Sequence, residues 1–240
     1  RLGFFGHQNL SLRAGAFPGA VLLVGRGDNI IYHRAFGFAQ KRPTEEPLST
    51  ATIFDIASVT KAILTTTLTM QAVAAGRLTL DARVADHLPG FTGPGKDAVT
   101  IRHLLSHASG LPAWRPYFEP HRGEPAGTAR DAMRATIARE PLEAPPGTRG
   151  LYSDLSMILL GWILETIHGD RLDSLGTLHI FAPLGMADTF HSPTDAPIPR
   201  PASAFAATEK CPWRREVLCG RVHDDNCYVM GGVSGHAGLF

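Results

Sequence analysis

The sequence predicts a mixed α/β chain of the α+β kind, in which an antiparallel strand pair precedes a long run of helices. Three observations carry this reading. Two apolar runs flank a turn near the N-terminus, at Ala20–Val24 and Ile30–Gly37. Two later stretches, from Ser58 and from Tyr152, repeat apolar residues at helical spacing. The closing segment, Met230 to Phe240, is rich in glycine and reads as tight backbone turns rather than a terminal helix.

Residues 1–18 are mixed, and Phe17-Pro18-Gly19 is a turn signal. Gly25-Arg26-Gly27-Asp28-Asn29 is turn chemistry between the two strands, so the Arg-Gly-Asp tripeptide is read as a hairpin tip. Lys41 to Thr52 is polar and reads as loop. From Ser58 a helix is expected to about Ala75, with Val59, Ile63, Thr66, Met70 and Ala74 facing the core and Gly76 as its stop. Ala82 to Leu88 reads as a short helix with Asp81 as its cap, and Thr100 to His107 as another, broken by Ser109-Gly110-Leu111-Pro112. Thr128 to Arg139 is a helix between loops. The apolar run up to Gly169 is a helix capped by Ser153 or Asp154, and its wide apolar face implies burial on several sides. Residues 192–201 are proline-rich surface, and 202–220 leave room only for short strands.

Composition bounds the function. The chain has 240 residues, 44% of them hydrophobic, with a formal net charge of +1. That balance offers no basic tract for nucleic acid and no acidic tail. No apolar run approaches the ~20 residues of a membrane span. From Arg1 onward no charged-then-apolar leader pattern is visible, which leaves the compartment, cytoplasmic or periplasmic of bacterial type, open. The three cysteines, Cys211, Cys219 and Cys227, lack the close Cys-x-x-Cys pair of a zinc site and are read as small core or loop residues. His103 and His107 are four apart, but no acidic residue stands between them as in a zinc hydrolase. They are read as capping or packing histidines, and no metal or cofactor is expected.

The chemistry centres on Ser58-Val59-Thr60-Lys61. The spacing puts serine and lysine on one face of one turn. The serine lies at the positive end of the helix dipole, which favours an oxyanion, and an ammonium beside it can activate a weak nucleophile. Ser-x-x-Lys alone is a common tetrapeptide, so the rest of the chain has to support it. No Gly-x-Ser-x-Gly elbow, phosphate-cradling loop or Gly-x-Gly-x-x-Gly is present. Tyr152, just before the buried helix and flanked by Ser153 and Asp154, could point its phenol into a cleft as general base or proton relay for Ser58. The plainer alternative is a tyrosine packed at a helix entrance with its hydroxyl in water.

Ser58-Val59-Thr60-Lys61 followed roughly 90 residues later by Tyr152-Ser153-Asp154 resembles the serine β-lactamase and penicillin-binding protein superfamily, in its class C-like branch. Phe17-Pro18-Gly19-Ala20-Val21, the stretch from His103 to Leu111 and the closing Gly-His-Ala-Gly-Leu are also similar to that branch. The resemblance runs over nearly the whole chain from about Phe17. It implies a β-lactamase-like fold: an antiparallel sheet with flanking helices, an inserted all-helical region and a cleft between the two. On it, residues 1–57 form the N-terminal part of the α/β region, 58–178 the helical region and 179–240 the return to the α/β region.

The resemblance also implies roles. Ser58 is the acylated nucleophile, with its backbone N–H as half of an oxyanion hole. Lys61 takes or relays its proton, and Tyr152 is general base and then the acid for the leaving group. Asp154 stands where the family carries an asparagine, and an ionised aspartate cannot donate to a substrate carbonyl. His236-Ala237-Gly238 superficially fits the family's third motif, but Gly238-Leu239-Phe240 looks more like the start of a segment preceding it. His236 and Ala237 are therefore expected to line the acyl side of the substrate site. The sheet is expected to be incomplete, to be finished by a further C-terminal segment or a second chain. The function implied is metal-independent hydrolysis of small acyl esters through an acyl-enzyme. β-Lactamase or D,D-peptidase activity is the alternative, and a penicillin-binding sensor that acylates without turning over is the third.

Overall fold

A turn at Gly27, where φ is 56° and a side chain would be strained, reverses the chain between β1 (Gly19–Arg26) and β2 (Asn29–Gln40). The computed structural model describes residues 14–125 and 127–240. The rest of the mixed N-terminal stretch, residues 1–13, lies outside the described residues. β2 continues beyond the expected Gly37 and pairs with a third short strand, β3 (Glu46–Pro47), so the sheet order is β1-β2-β3, all antiparallel. Val21 faces Ala35 and Leu22 faces Arg34, and the register slips between Val24 and Gly25. With residues 199–220 these strands make up one of two units. The returning segment adds a two-stranded ribbon, β4 (Lys210–Cys211) with β5 (Glu216–Val217), and a parallel bridge from Phe205 to Ile53. Ala39, Phe205, Cys211 and Leu218 are buried in this unit, whereas Leu23, Ile30 and Ile31 are exposed.

The second unit takes in residues 55–198 and 221–240. A π-helical stretch, Lys61–Thr66, runs directly into α1 (Thr67–Ala74). Its buried face is Leu64, Leu68 and Ala72, not the expected stripe, and Val59 and Met70 stand exposed. The i→i+5 bonding of a π stretch widens the turn and shifts the phase of every later residue. Apolar residues on both sides of the run made either stripe readable. α2 (Val84–His87) follows without a side-chain cap; the expected cap Asp81 instead accepts from Arg102 at 2.9 Å. α3 (Ile101–Leu105) opens with a capping box in which His103 Nδ1 accepts from the Thr100 N–H. α4 spans Arg130–Arg139.

α5 (Asp154–His168) is the central helix, and Leu155, Ile158, Leu159 and Ile163 are enclosed along it. Ser153 rather than Asp154 caps it, its hydroxyl accepting from Ser156 N–H, and Gly169 at φ 75° closes it. α6 (Leu172–Gly176) and α7 (Asp225–Val229) complete the set. Val229 to Phe240 is buried throughout and passes α5 where Gly161 meets Gly235. A Cβ at 235 would collide with the Met157 carbonyl, so this close approach requires glycine. Each enclosed leucine or isoleucine contributes about 1.5–3 kcal/mol. The three cysteines are free thiols. No helix among the described residues is long and apolar enough to cross a membrane.

Candidate active site

Ser58 sits on an exposed turn just ahead of the π-helical stretch. The turn is held by Asp55, whose carboxylate accepts from Ala57 N–H at 2.8 Å and from His223 N–H at 2.7 Å. Burial pushes the Asp55 carboxyl up from its ordinary range, against the two backbone donors that favour its charged form. Ala57 is left at φ 46°, a conformation seldom adopted by a residue with a side chain. That bend points Ser58 outward.

Lys61 lies one turn on, 5% exposed, and its ammonium has three oxygens around it. Nζ donates to Ser58 Oγ at 2.8 Å and to the His236 carbonyl at 2.9 Å. The Asp154 carboxylate, at the first turn of α5, lies 2.7 Å away as a charge contact outside hydrogen-bond geometry. A buried ammonium needs such compensation, because isolation from water disfavours its charge. Nζ also lies 5.0 Å from the centre of the Tyr152 ring. Tyr152 itself is 54% exposed and therefore open to a substrate. Among the described residues its hydroxyl forms no hydrogen bond to Ser58 or Lys61; it meets the lysine through its ring. The structure thus gathers Ser58, Lys61, Tyr152 and Asp154 in one place.

His236 and Ala237 behave differently from the expected pocket wall. Both are buried, and the His236 ring is engaged on each side, by Ser234 Oγ at 2.8 Å and Asp224 Oδ1 at 2.9 Å. It is the His236 backbone carbonyl that reaches the site, while the Ala237 carbonyl accepts from Cys227 Sγ. Burial opposes the charge on Asp224, yet His236, the Cys227 N–H and Lys61 outweigh it and hold this carboxyl down to about 2. Asp154, Asp224 and His236 place ligand atoms within 4.8 Å of one another. Lys61 already neutralises Asp154, and Asp224 is committed to His236 and the α7 cap. The donor set is therefore a charge-balanced cluster and fits a cation poorly.

Residues 10–240 match the Beta-lactamase family over the turn, the helices and the buried tail that build this site. The chain belongs to that family. Its fold is accordingly the β-lactamase-like α/β fold, with small antiparallel sheets and helices. It is similar to a Bacillus subtilis (strain 168) protein named N-acetylmuramyl-L-alanine amidase, 34% identical over 95% of this chain and 57% of that one. An Escherichia coli (strain K12) protein provisionally named D-alanyl-D-alanine carboxypeptidase is 35% identical over 93% of this chain and 57% of its own length. A solved structure, that of EstCE1, a hydrolase with promiscuous acyltransferase activity, superposes with a TM-score of 0.72 at 26% identity, covering 98% of this chain and 67% of that one. The chain thus spans little more than half the length of the two curated relatives.

Two residues of this cluster escaped the sequence reading. Asp55 sits two positions before the Ala57 N–H that it holds, a local signal of a side-chain-supported turn that was open to view. Asp224 shows locally only as the cap of α7, because its partner His236 is reached through the fold.

Proposed function

We propose that the chain is a serine hydrolase that works through an acyl-enzyme on small acyl esters or related carbonyl substrates. The observation that carries this reading is the 2.8 Å hydrogen bond from the Lys61 ammonium to the exposed Ser58 hydroxyl. In the proposed cycle the Ser58 proton passes to Tyr152 acting as a phenolate, the Lys61 charge favours the alkoxide, and Oγ bonds to the substrate carbonyl carbon. The Ser58 N–H, which donates to no acceptor among the described residues, receives the oxyanion. Such a donor is worth about 3–4 kcal/mol in comparable sites. The leaving alkoxide takes the proton from Tyr152 as its bond to carbon breaks. Water, deprotonated by Tyr152, then attacks the acyl-enzyme, and Ser58 recovers its proton as the acid departs.

Asp154 supports esters over β-lactams. Its carboxylate is drawn to Lys61 and, while ionised, has no proton to donate to a substrate's acylamino carbonyl. The name of the carboxypeptidase relative and that of the family favour a second reading, cleavage of D-alanyl-D-alanine peptides or of β-lactams. A fluorophosphonate should label Ser58, and p-nitrophenyl acetate should be turned over faster than nitrocefin or a D-Ala-D-Ala peptide. Ester hydrolysis that survives Ser58→Ala sinks the assignment. An adduct that forms and never turns over identifies a penicillin-binding sensor instead. We also propose that further strands complete the sheet along β1, which among the described residues pairs only with β2. A longer chain that melts no higher than residues 1–240 counts against this.

A further inference from the structure

His107 occupies an unusual position for its side chain. It is the second residue beyond α3, directly after the Ser106 cap, at φ 55°. Its N–H donates to the Leu104 carbonyl and the next N–H, of Ala108, to the His103 carbonyl. These two bonds form a helix stop that glycine usually fills, because glycine meets no Cβ penalty at positive φ. Glycine there could not do what this side chain does. The His107 carbonyl accepts from Leu151 N–H at 2.8 Å, and its ring Nδ1 accepts from Ser153 N–H at 3.1 Å. One residue thus grips the backbone on both sides of Tyr152. The same ring packs on the tyrosine ring, with centroids 4.5 Å apart. Acceptance at Nδ1 also fixes the neutral tautomer with its proton on Nε2.

We propose that His107 is the positioning residue for Tyr152, holding the phenol ring against Lys61 through this two-sided grip and the ring contact. The proposal rests on the reading of Tyr152 as the proton-transferring group. It does not make His107 a catalytic residue, since nothing requires it to touch substrate. Lys61 Nζ lies 5.0 Å from the centre of the same ring, so loss of the grip frees the ring to leave the lysine. A displacement of about 1 Å at a reacting group can lower turnover ~100-fold.

The test compares His107→Ala, which loses acceptor and ring, with His107→Asn, which tolerates positive φ and keeps an acceptor near the Nδ1 position. The protein is labelled with 3-fluorotyrosine, and Tyr152→Phe assigns the Tyr152 fluorine resonance. His107→Ala should shift or broaden that resonance and lower kcat for p-nitrophenyl acetate ~10- to 100-fold with KM within ~2-fold. His107→Asn should keep the resonance and recover most of kcat. Should the alanine protein fail to fold, His107→Phe, which keeps a ring without the acceptor, takes its place in both measurements. An unmoved resonance in the variant without the acceptor overturns the proposal, as does an asparagine variant as impaired as alanine. A resonance that moves while kcat does not leaves the grip in place but overturns the proton-transfer reading of Tyr152, and with it this assignment.

Discussion

In the helical unit Leu64, Leu159 and Ile163 are fully enclosed, whereas in the hairpin unit Ile30 and Ile31 stand 63% and 62% exposed. The hairpin is held by a ladder between neighbours in sequence, with Arg26 opposite Asn29 at its tip and Gly19 opposite Gly37 at its base. The helical unit is held by packing between distant segments, and every polar contact of Ser58 and Lys61 described above lies within it. The lesson is that order in the strands and order at the reacting serine have separate physical sources. Changes to the enclosed helical core should disturb chemistry and stability together, and changes at the hairpin tip should disturb neither.

The sharpest way to break that contrast is at Lys61. Lys61→Met keeps the buried stem but strips Ser58 and Asp154 of their cation, and kcat/KM for an ester should fall ~10²- to 10⁴-fold with the circular dichroism spectrum unchanged. Next comes the core itself. Leu159→Ala, at a fully enclosed site on α5, should lower unfolding stability by about 2–5 kcal/mol in urea titration. A loss no greater than that of a surface change would undo the account of this unit.

Acid tests the same unit by another route. Burial holds the His191 imidazole down to about 4, below its ordinary 6.5. The unfolded chain therefore takes up this proton first. The stability tied to neutral His191 is complete above pH 6.5 and drains away as the pH falls toward 4, by about 3 kcal/mol. His191→Gln should flatten the stability profile across that window, measured by denaturant midpoints at successive pH values. The smallest effect belongs to the hairpin. Ile30→Thr and Ile31→Thr should each change stability by no more than about 0.5 kcal/mol and leave ester turnover unaltered. A large loss at either would mean that the exposed tip carries weight the contrast denies it.

What could be read from the sequence followed from interactions between near neighbours. The hairpin was legible because Gly27 sits between two apolar runs, and α5 because Ser153 and Gly169 mark its ends. Ser58 and Lys61 were legible for the same reason, lying within a turn of each other. The face of the helix after Lys61 was not, since the π stretch changes the phase and Met70 ends up in water. His107 was read as a capping or packing residue because its grip on Leu151 and Ser153 spans more than forty positions. His236 is expected beside the site, and it is its backbone oxygen that makes the contact with Lys61.

The buried tail sets an order of events during synthesis. Lys61 reaches the His236 carbonyl across 175 positions, Thr65 reaches the Gly235 carbonyl across 170, and Leu239 N–H donates to Thr60 across 179. Contacts so far apart in the chain close late and slowly, because the intervening loop's entropy must be lost first. A ribosome that has made only as far as α5 has already built Ser58, Lys61, Tyr152 and Asp154 into the chain, yet the ammonium still lacks one of its acceptors. On this view the nucleophile stays silent until residues 235–239 have been made. It matures only when the glycine-rich segment threads past Gly161, so a premature stop before Gly235 should yield a chain with an intact motif and an unfinished lysine.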